Sequence, residues 1–368
     1  MGGGVGIRRI AWGMILASCS LLGLGSEPCA GQEAQAQRPS PPFNSADAGD
    51  LKRFVQKTPH PEGIQVSYEW LDFMGKIRRF DASLSNSALV ESENAFGFFP
   101  EELRQFLIAA ESRIRADRGF SAVDIARKVA AARADPSWCR VTEDPASDFR
   151  YILRTDGKGR DDHSAEIEGI IRDSKKAWES SQKKISALLE DEMRGFLRSR
   201  GMVLVPGGIA VDYRALVDGN RDRLAPLAAE FRRICGRNKK LLLEAVLSFV
   251  QGIPSRPRPP VEHEKYTAGL AVPLRVLADD SGDCDSKAVL FACLWTGLSR
   301  YRTILITIRE HMLVGVAVPF VSGTTIEIGP TRYVLLEVNC GARLGPGEVT
   351  PLSLNSVGKG QLKYRIVN

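Results

Sequence analysis

The sequence predicts an α+β protein, and three stretches carry that prediction. Near the N-terminus, "IQVSYEWLDF" and "IRRFDASLS" alternate apolar and polar residues with the two-residue period of half-buried strands. The middle of the chain holds runs of good helix formers with apolar residues three and four apart. Towards the C-terminus, an apolar run at 288–298 is followed by strand-like segments, so helices and strands are segregated rather than alternating.

Taken in order, "MGGGVGIRR" is a short basic front to the apolar run 10–24, the layout of a secretory signal rather than of a membrane span. Cleavage after "AQA" removes residues 1–36. The alternative is a lipoprotein-type site in "LASC" with a lipid anchor at Cys19, against which "SLLGLG" would leave an apolar stub. Both place the mature protein outside the cytoplasm, periplasmic or extracellular. Residues 37–62, with "QRPSPPFNSADAGD", read as a linker. Residues 63–155 read as a small α+β domain, in which "PEELRQFLIAAESRIRA" and "SAVDIARKVAAARA" are helices and "RTDGKGRDD" marks the boundary. Residues 164–237 read as a helical segment. Ile167, Ile170, Ile171, Trp178, Ile185, Leu188, Leu189 and Phe196 stripe one face of a long helix, an ordinary packing face. A small hairpin turns at Pro206, Gly207 and Gly208, and "RLAPLAAEFRRIC" is helical. The last domain, 238–368, opens with the helix "KKLLLEAVLSFVQ"; the prolines of "GIPSRPRPPVEHE" then force a surface loop.

The chemistry-bearing residues lie in this last part. In "DDSGDCDSKAVLFACLWTGL", Asp283 is an N-cap and Cys284 the first residue of a helix that is apolar almost all round, hence buried on every side. At such a tip, unpaired N–H groups and the helix dipole favour a thiolate, while the flanking aspartates oppose it. Cys293, inside the helix, reads as inert core. After the strand "RTILITIRE", His311 opens "HMLVGVAVPF", and "RYVLLEV" ends near Glu337. If these last two strands pair with a turn at Gly323 and Thr324, His311 stands opposite Glu337. A thiol at a helix tip, an imidazole and a carboxylate behind it are the parts of an activated nucleophile.

"GDCDSKAVLFACLW", a strand-opening histidine and the carboxylate of "YVLLEV", with "FVQGIP" upstream, resemble the transglutaminase-like (papain-like) cysteine peptidase superfamily, particularly its exported bacterial members. The resemblance spans roughly 239–345. It implies a papain/transglutaminase-like core, a buried nucleophile-bearing helix packed on an antiparallel sheet. Carried over by position, Cys284 is the nucleophile, His311 the general base and acid, and Glu337 the orienting carboxylate. The backbone N–H of Cys284 would supply part of an oxyanion hole, with Gln251 either a second donor or a packing residue. Two departures stand out: the family more often has Asp at the third position, and Leu313 replaces an aromatic residue two places after the histidine. The implied activity is hydrolysis of amide or peptide bonds through a thioester. Acyl transfer to an amine and a non-catalytic envelope binding protein are the alternatives.

Other classes find little support. The 50 Lys and Arg are interleaved with 44 Asp and Glu, without a basic block carrying aromatics, so no nucleic-acid partner is expected. The aspartates around Cys284 lack the spacing of a calcium loop, and His60, His163 and His263 lack ligand spacing, so neither metal nor organic cofactor is expected. The expected partner is a protein or peptide substrate of the cell envelope, with membrane association only through the Cys19 alternative. Past residue 36 the cysteines are odd in number; Cys139 and Cys235 are the pair outside the final segment that a disulfide would join.

Overall fold

The structure is a computed structural model that describes residues 53–118, 139–143, 149–153, 164–309 and 311–368. The expected export signal with Cys19, the expected linker up to 52, the helix expected over 121–134 and the loop expected at 154–162 lie outside the described residues. The fold is mixed α+β, with every paired strand of its main sheets antiparallel. Among the described residues, no helix is long and apolar enough to cross a membrane.

The chain divides into two compact units, one formed from Glu101–Phe196 and the other from the described residues up to Pro100 with Leu197–Asn368. In the first, helices α2 (Pro100–Arg118) and α3 (Ser164–Ser199) run antiparallel. Phe106 meets Phe196 at a ring-centroid distance of 5.0 Å, and Arg113 pairs with Glu192 at 2.5 Å. The hairpin β4 (Cys139–Glu143) and β5 (Phe149–Leu153) belongs to the same unit.

The second unit begins with the meander β1 (Arg53–His60), β2 (Gly63–Leu71) and β3 (Ile77–Ser85), followed by α1 (Asn86–Asn94). Strand β1 occupies the end of the stretch read as linker. Its eight residues pair along β2, so the chain is already part of a sheet there. Nor do β1–β3 form a domain of their own with residues up to 155. Val66, Tyr68, Trp70 and Phe80 are all but inaccessible. They need an apolar partner, and find it in Phe231 of α5 (Ala225–Cys235) and Phe249 of α6 (Lys239–Gln251). Five rings pack at 5.3–5.8 Å in tilted and edge-on pairs, each contributing about 0.5–1.5 kcal/mol beyond burial. The polar tips are satisfied: Tyr68 donates to the Leu277 carbonyl and Trp70 to Ser248 Oγ, both at 3.1 Å.

Between these elements lies the hairpin β6 (Met202–Val205) and β7 (Gly208–Val211). Its two-residue turn puts Gly207 at φ +93°, the left-handed position that follows proline in a type II turn. Helix α4 (Tyr213–Arg221) follows. The proline-rich stretch after α6 is a loop, as expected, broken only by the short pair β8 (Val261–Glu262) and β9 (Lys265–Tyr266). Helix α7 (Pro273–Asp279) then leads into α8 (Cys284–Leu298), in which Ala288 to Trp295 are wholly inaccessible.

The C-terminal sheet has five strands in the order β12–β13–β11–β10–β14: β10 (Thr303–Ile308), β11 (His311–Val316), β12 (Thr325–Ile328), β13 (Thr331–Leu336) and β14 (Leu362–Ile366). Helix α9 (Pro351–Gly358) precedes the last strand. β11 and β13 are neighbours, yet no tight turn at 323–324 joins them. The chain leaves the sheet near Pro319, which has no N–H to give to a ladder, and returns as the edge strand β12. Gly323, at φ +132°, is pressed against the Gly347 backbone, a packed crossing rather than a hairpin tip.

Candidate active site

The N-terminal tip of α8 is built by its own side chains. Asp283, in extended conformation, caps the helix by accepting the Ser286 N–H at 2.9 Å, which makes Cys284 the first helical residue. The tip is tied to the loop after α6, where the Gly282 N–H donates to the Pro254 carbonyl at 3.1 Å. Ser286 Oγ accepts the Ala271 N–H at 2.9 Å, fixing the opposite side.

The sulfur of Cys284 lies between β11 and α4. The Met312 N–H, next in the chain to His311, lies near it and favours the thiolate. Its own S–H donates to Asp285 Oδ1 at 3.3 Å, and Asp285 Oδ2 accepts the phenol of Tyr213 at 2.9 Å. Burial pushes the thiol up to about 12, and the negative charges of Asp285 and Asp283 act in the same direction. Burial likewise raises the pKa of Asp283. The helix-tip expectation of a lowered thiol pKa is therefore reversed. Desolvation and two adjacent carboxyl groups outweigh the dipole and the Met312 N–H, and the resting sulfur is a neutral thiol.

His311 and Glu337 are in direct contact, with Nε2 of the ring against Oε1 of the carboxylate. Their register differs from the sequence expectation. Val314 pairs with Leu336, so continuing the ladder puts Asn339, not Glu337, opposite His311. The offset is two residues, which preserves the face, and a glutamate is long enough to span the diagonal. Glu337 is wholly buried. Burial opposes its ionisation, but the hydrogen bond and charge of His311, the Thr350 N–H at 3.1 Å and the Ser353 hydroxyl together hold its pKa below the usual carboxylate value. An ionised carboxylate only accepts, so Nε2 carries a ring proton and Nδ1 is the nitrogen left for other partners. Thr350 is the N-cap of α9 and its hydroxyl donates to Ser353 Oγ at 3.0 Å, so this helix start is what seats Glu337.

Gln251 has a positioning role. Its Nε2 donates one proton to the Glu337 carbonyl at 2.8 Å and the other to the Leu344 carbonyl at 2.7 Å. With both protons engaged, it does not serve as the oxyanion donor considered from the sequence; it pins the backbone of Glu337 instead. Beside it Lys287 is buried, its Nζ donating to the carbonyls of Gln251 at 3.4 Å and Ile253 at 2.8 Å and to Asn339 Oδ1 at 3.1 Å. Leu313 lies in the sheet core with Ile304, Ile306, Ile308, Tyr333 and Leu335.

His311 and Glu337 are thus joined, while the Cys284 proton is directed to Asp285 instead of the imidazole. Cys293 is fully buried core. Cys235 is a free, buried thiol, and the side chain of Cys139, with which the sequence suggested a disulfide, lies outside what the structure describes. Cys340 is also free and donates to the Ala342 carbonyl at 2.9 Å. Sequence reasoning missed Tyr213, Lys287, Thr350 and Ser353. Only "TPLS" carried a signal, a threonine before proline being a common helix start. No protein-family model matches the chain, and no curated protein or solved structure matches it either.

Proposed function

We propose that this chain is an exported, thiol-dependent hydrolase of amide or peptide bonds, with a papain/transglutaminase-like core and a Cys284–His311–Glu337 triad. One observation carries the reading: a buried carboxylate fixes the outer nitrogen of an imidazole that opens a strand, and the next backbone N–H of that strand lies near a helix-tip thiol. In this reading His311 Nδ1 takes the Cys284 proton as the sulfur attacks the substrate carbonyl carbon. The developing oxyanion is met by the Cys284 N–H, which, as a first-turn group, has no acceptor within its helix. The tetrahedral adduct expels an amine that leaves with the proton from His311, giving a thioester. Water then gives a proton to Nδ1, adds to the thioester, and collapse releases the acid and restores the thiol. An amine in place of water completes acyl transfer by the same steps.

A second reading, a binding protein on the same framework, draws on the thiol proton being bonded to Asp285. p-Nitrophenyl acetate separates the two. The enzyme reading expects p-nitrophenolate release with an acetyl group trapped on the Cys284 peptide, abolished in Cys284→Ala and about 100- to 10,000-fold slower in His311→Ala. Acetylation of Cys284 at the rate of a free thiol, unchanged in His311→Ala, would leave the binding reading standing.

A further inference from the structure

The first residue after the nucleophile has a contact that the triad does not use. Asp285 accepts the Cys284 S–H on one carboxylate oxygen at 3.3 Å and the Tyr213 phenol on the other at 2.9 Å. The S–H is directed to Asp285 on its own helix, whose other oxygen is tied to Tyr213 on α4, and the Met312 N–H of β11 lies near the sulfur. The phenol is built to donate: burial, Asp285 and the neighbouring Cys284 and Asp283 all disfavour its ionisation. The charged and titratable groups around the thiol are few. Helix α8 presents Asp283 and Asp285, α4 presents Tyr213, and β11 presents His311 with Glu337 behind it. Helix α7 ends in Asp279, which pairs with Arg258 and Arg275, and in Asp280. Lys287, one turn along α8, donates to backbone carbonyls and Asn339. The acceptor of the thiol proton is therefore a carboxylate oriented from its far side by a phenol.

We propose that Asp285 and Tyr213 form a latch on the nucleophile, in which the carboxylate holds the Cys284 proton and sets the direction of the S–H, so that His311 must compete for it. This rests on Cys284 being the nucleophile. Both residues are positioning residues, since neither reaches the reacting carbonyl in the mechanism above. The pair has a signature that mere packing lacks. Removing the charge with Asp285→Asn weakens the hold on the proton. Removing the phenol with Tyr213→Phe takes a hydrogen bond from the carboxylate, leaves its charge less shared, and strengthens the hold. The two changes act in opposite directions.

The test is the pH profile of iodoacetamide alkylation at the Cys284 peptide, followed by mass spectrometry in the His311→Ala background. There the imidazole does not compete, and no turnover is needed. Adding Asp285→Asn is expected to lower the alkylation midpoint by about one pH unit, about a tenfold faster reaction at pH 9. Adding Tyr213→Phe is expected to raise the midpoint. A midpoint unchanged or raised by Asp285→Asn overturns the latch, as does a Tyr213→Phe midpoint that stays put or falls. Loss of p-nitrophenyl acetate turnover in the wild-type background bears on the hydrolase reading and leaves these midpoints untouched, so the two failures are distinguishable.

Discussion

Glu337 shows how a single side chain is made to hold a charge where burial forbids one. Its two oxygens meet His311, the Thr350 N–H and the Ser353 hydroxyl, and its own carbonyl is held by Gln251. Since its folded pKa lies below the unfolded value, the stability it contributes is present above pH ~4.3 and lost as pH falls through the folded pKa. Glu337→Gln keeps the shape but removes the charge facing an imidazolium. Acetylation of Cys284 by p-nitrophenyl acetate is expected to slow by about 100- to 10,000-fold, while the His311→Ala,Glu337→Gln double variant is no slower than His311→Ala alone. Equal, additive losses would show that the two residues act independently. At this scale the sequence is legible where it concentrates unusual residues: a cysteine in "GDCD", a histidine opening a strand, a glutamate closing one. Tyr213 is not legible, because 72 residues separate it from Asp285 and nothing local in "DYRAL" marks a phenol that will donate across helices. The thiol's raised pKa is equally hidden, since it depends on burial that only the packed fold supplies.

At the scale of elements, periodicity locates α8, β10, β11 and β13, but pairing depends on the links between them. A turn at 323–324 would have set a register two residues from the one observed, and β12 is too short at four residues to announce itself by alternation. The sheet in turn depends on close fit where His311 enters it. Gly315, two pairs along β11 from His311 in face, stands opposite Ile304, and a Cβ added there would meet Ile304 Cγ1 at 2.7 Å and Ile306 Cδ1 at 3.2 Å. The backbone is tolerant at this position, so Gly315→Ala tests packing alone. It is expected to destabilise the protein by about 1–3 kcal/mol in urea unfolding, through displacement of the isoleucine side chains. An unchanged or higher urea midpoint would mean that the face opposite α8 has slack that these contacts do not suggest.

For the molecule as a whole, the distribution of thiols sets the response to alkali. Cys235, Cys284, Cys293 and Cys340 are free, and burial raises the pKa of each, to about 12 for Cys284 and about 11 for Cys340. All four lie in the unit that carries the site, as do Tyr213 and Tyr266, whose pKa values burial also raises. An unfolded thiol titrates near ~8.5, so between there and the folded values the native state retains protons that the unfolded chain has lost. Stability therefore falls as pH rises, and the tyrosines extend the same sign above ~10. The odd number of cysteines past residue 36 left at least one thiol unpaired; the packing makes these four weak acids, Cys235 and Cys293 buried and Cys284 and Cys340 half-buried, that hold their protons more tightly in the folded chain than in the unfolded one. Unfolding of the reduced protein in urea, followed by tryptophan fluorescence, is expected to show a midpoint that falls steadily between pH 8.5 and 11. Cys340→Ser, which keeps a donor for the Ala342 carbonyl but cannot ionise in this range, is expected to make that fall shallower. A midpoint that holds level across this range, or a Cys340→Ser slope as steep as the wild type, would mean that these thiols titrate alike in the folded and unfolded chains.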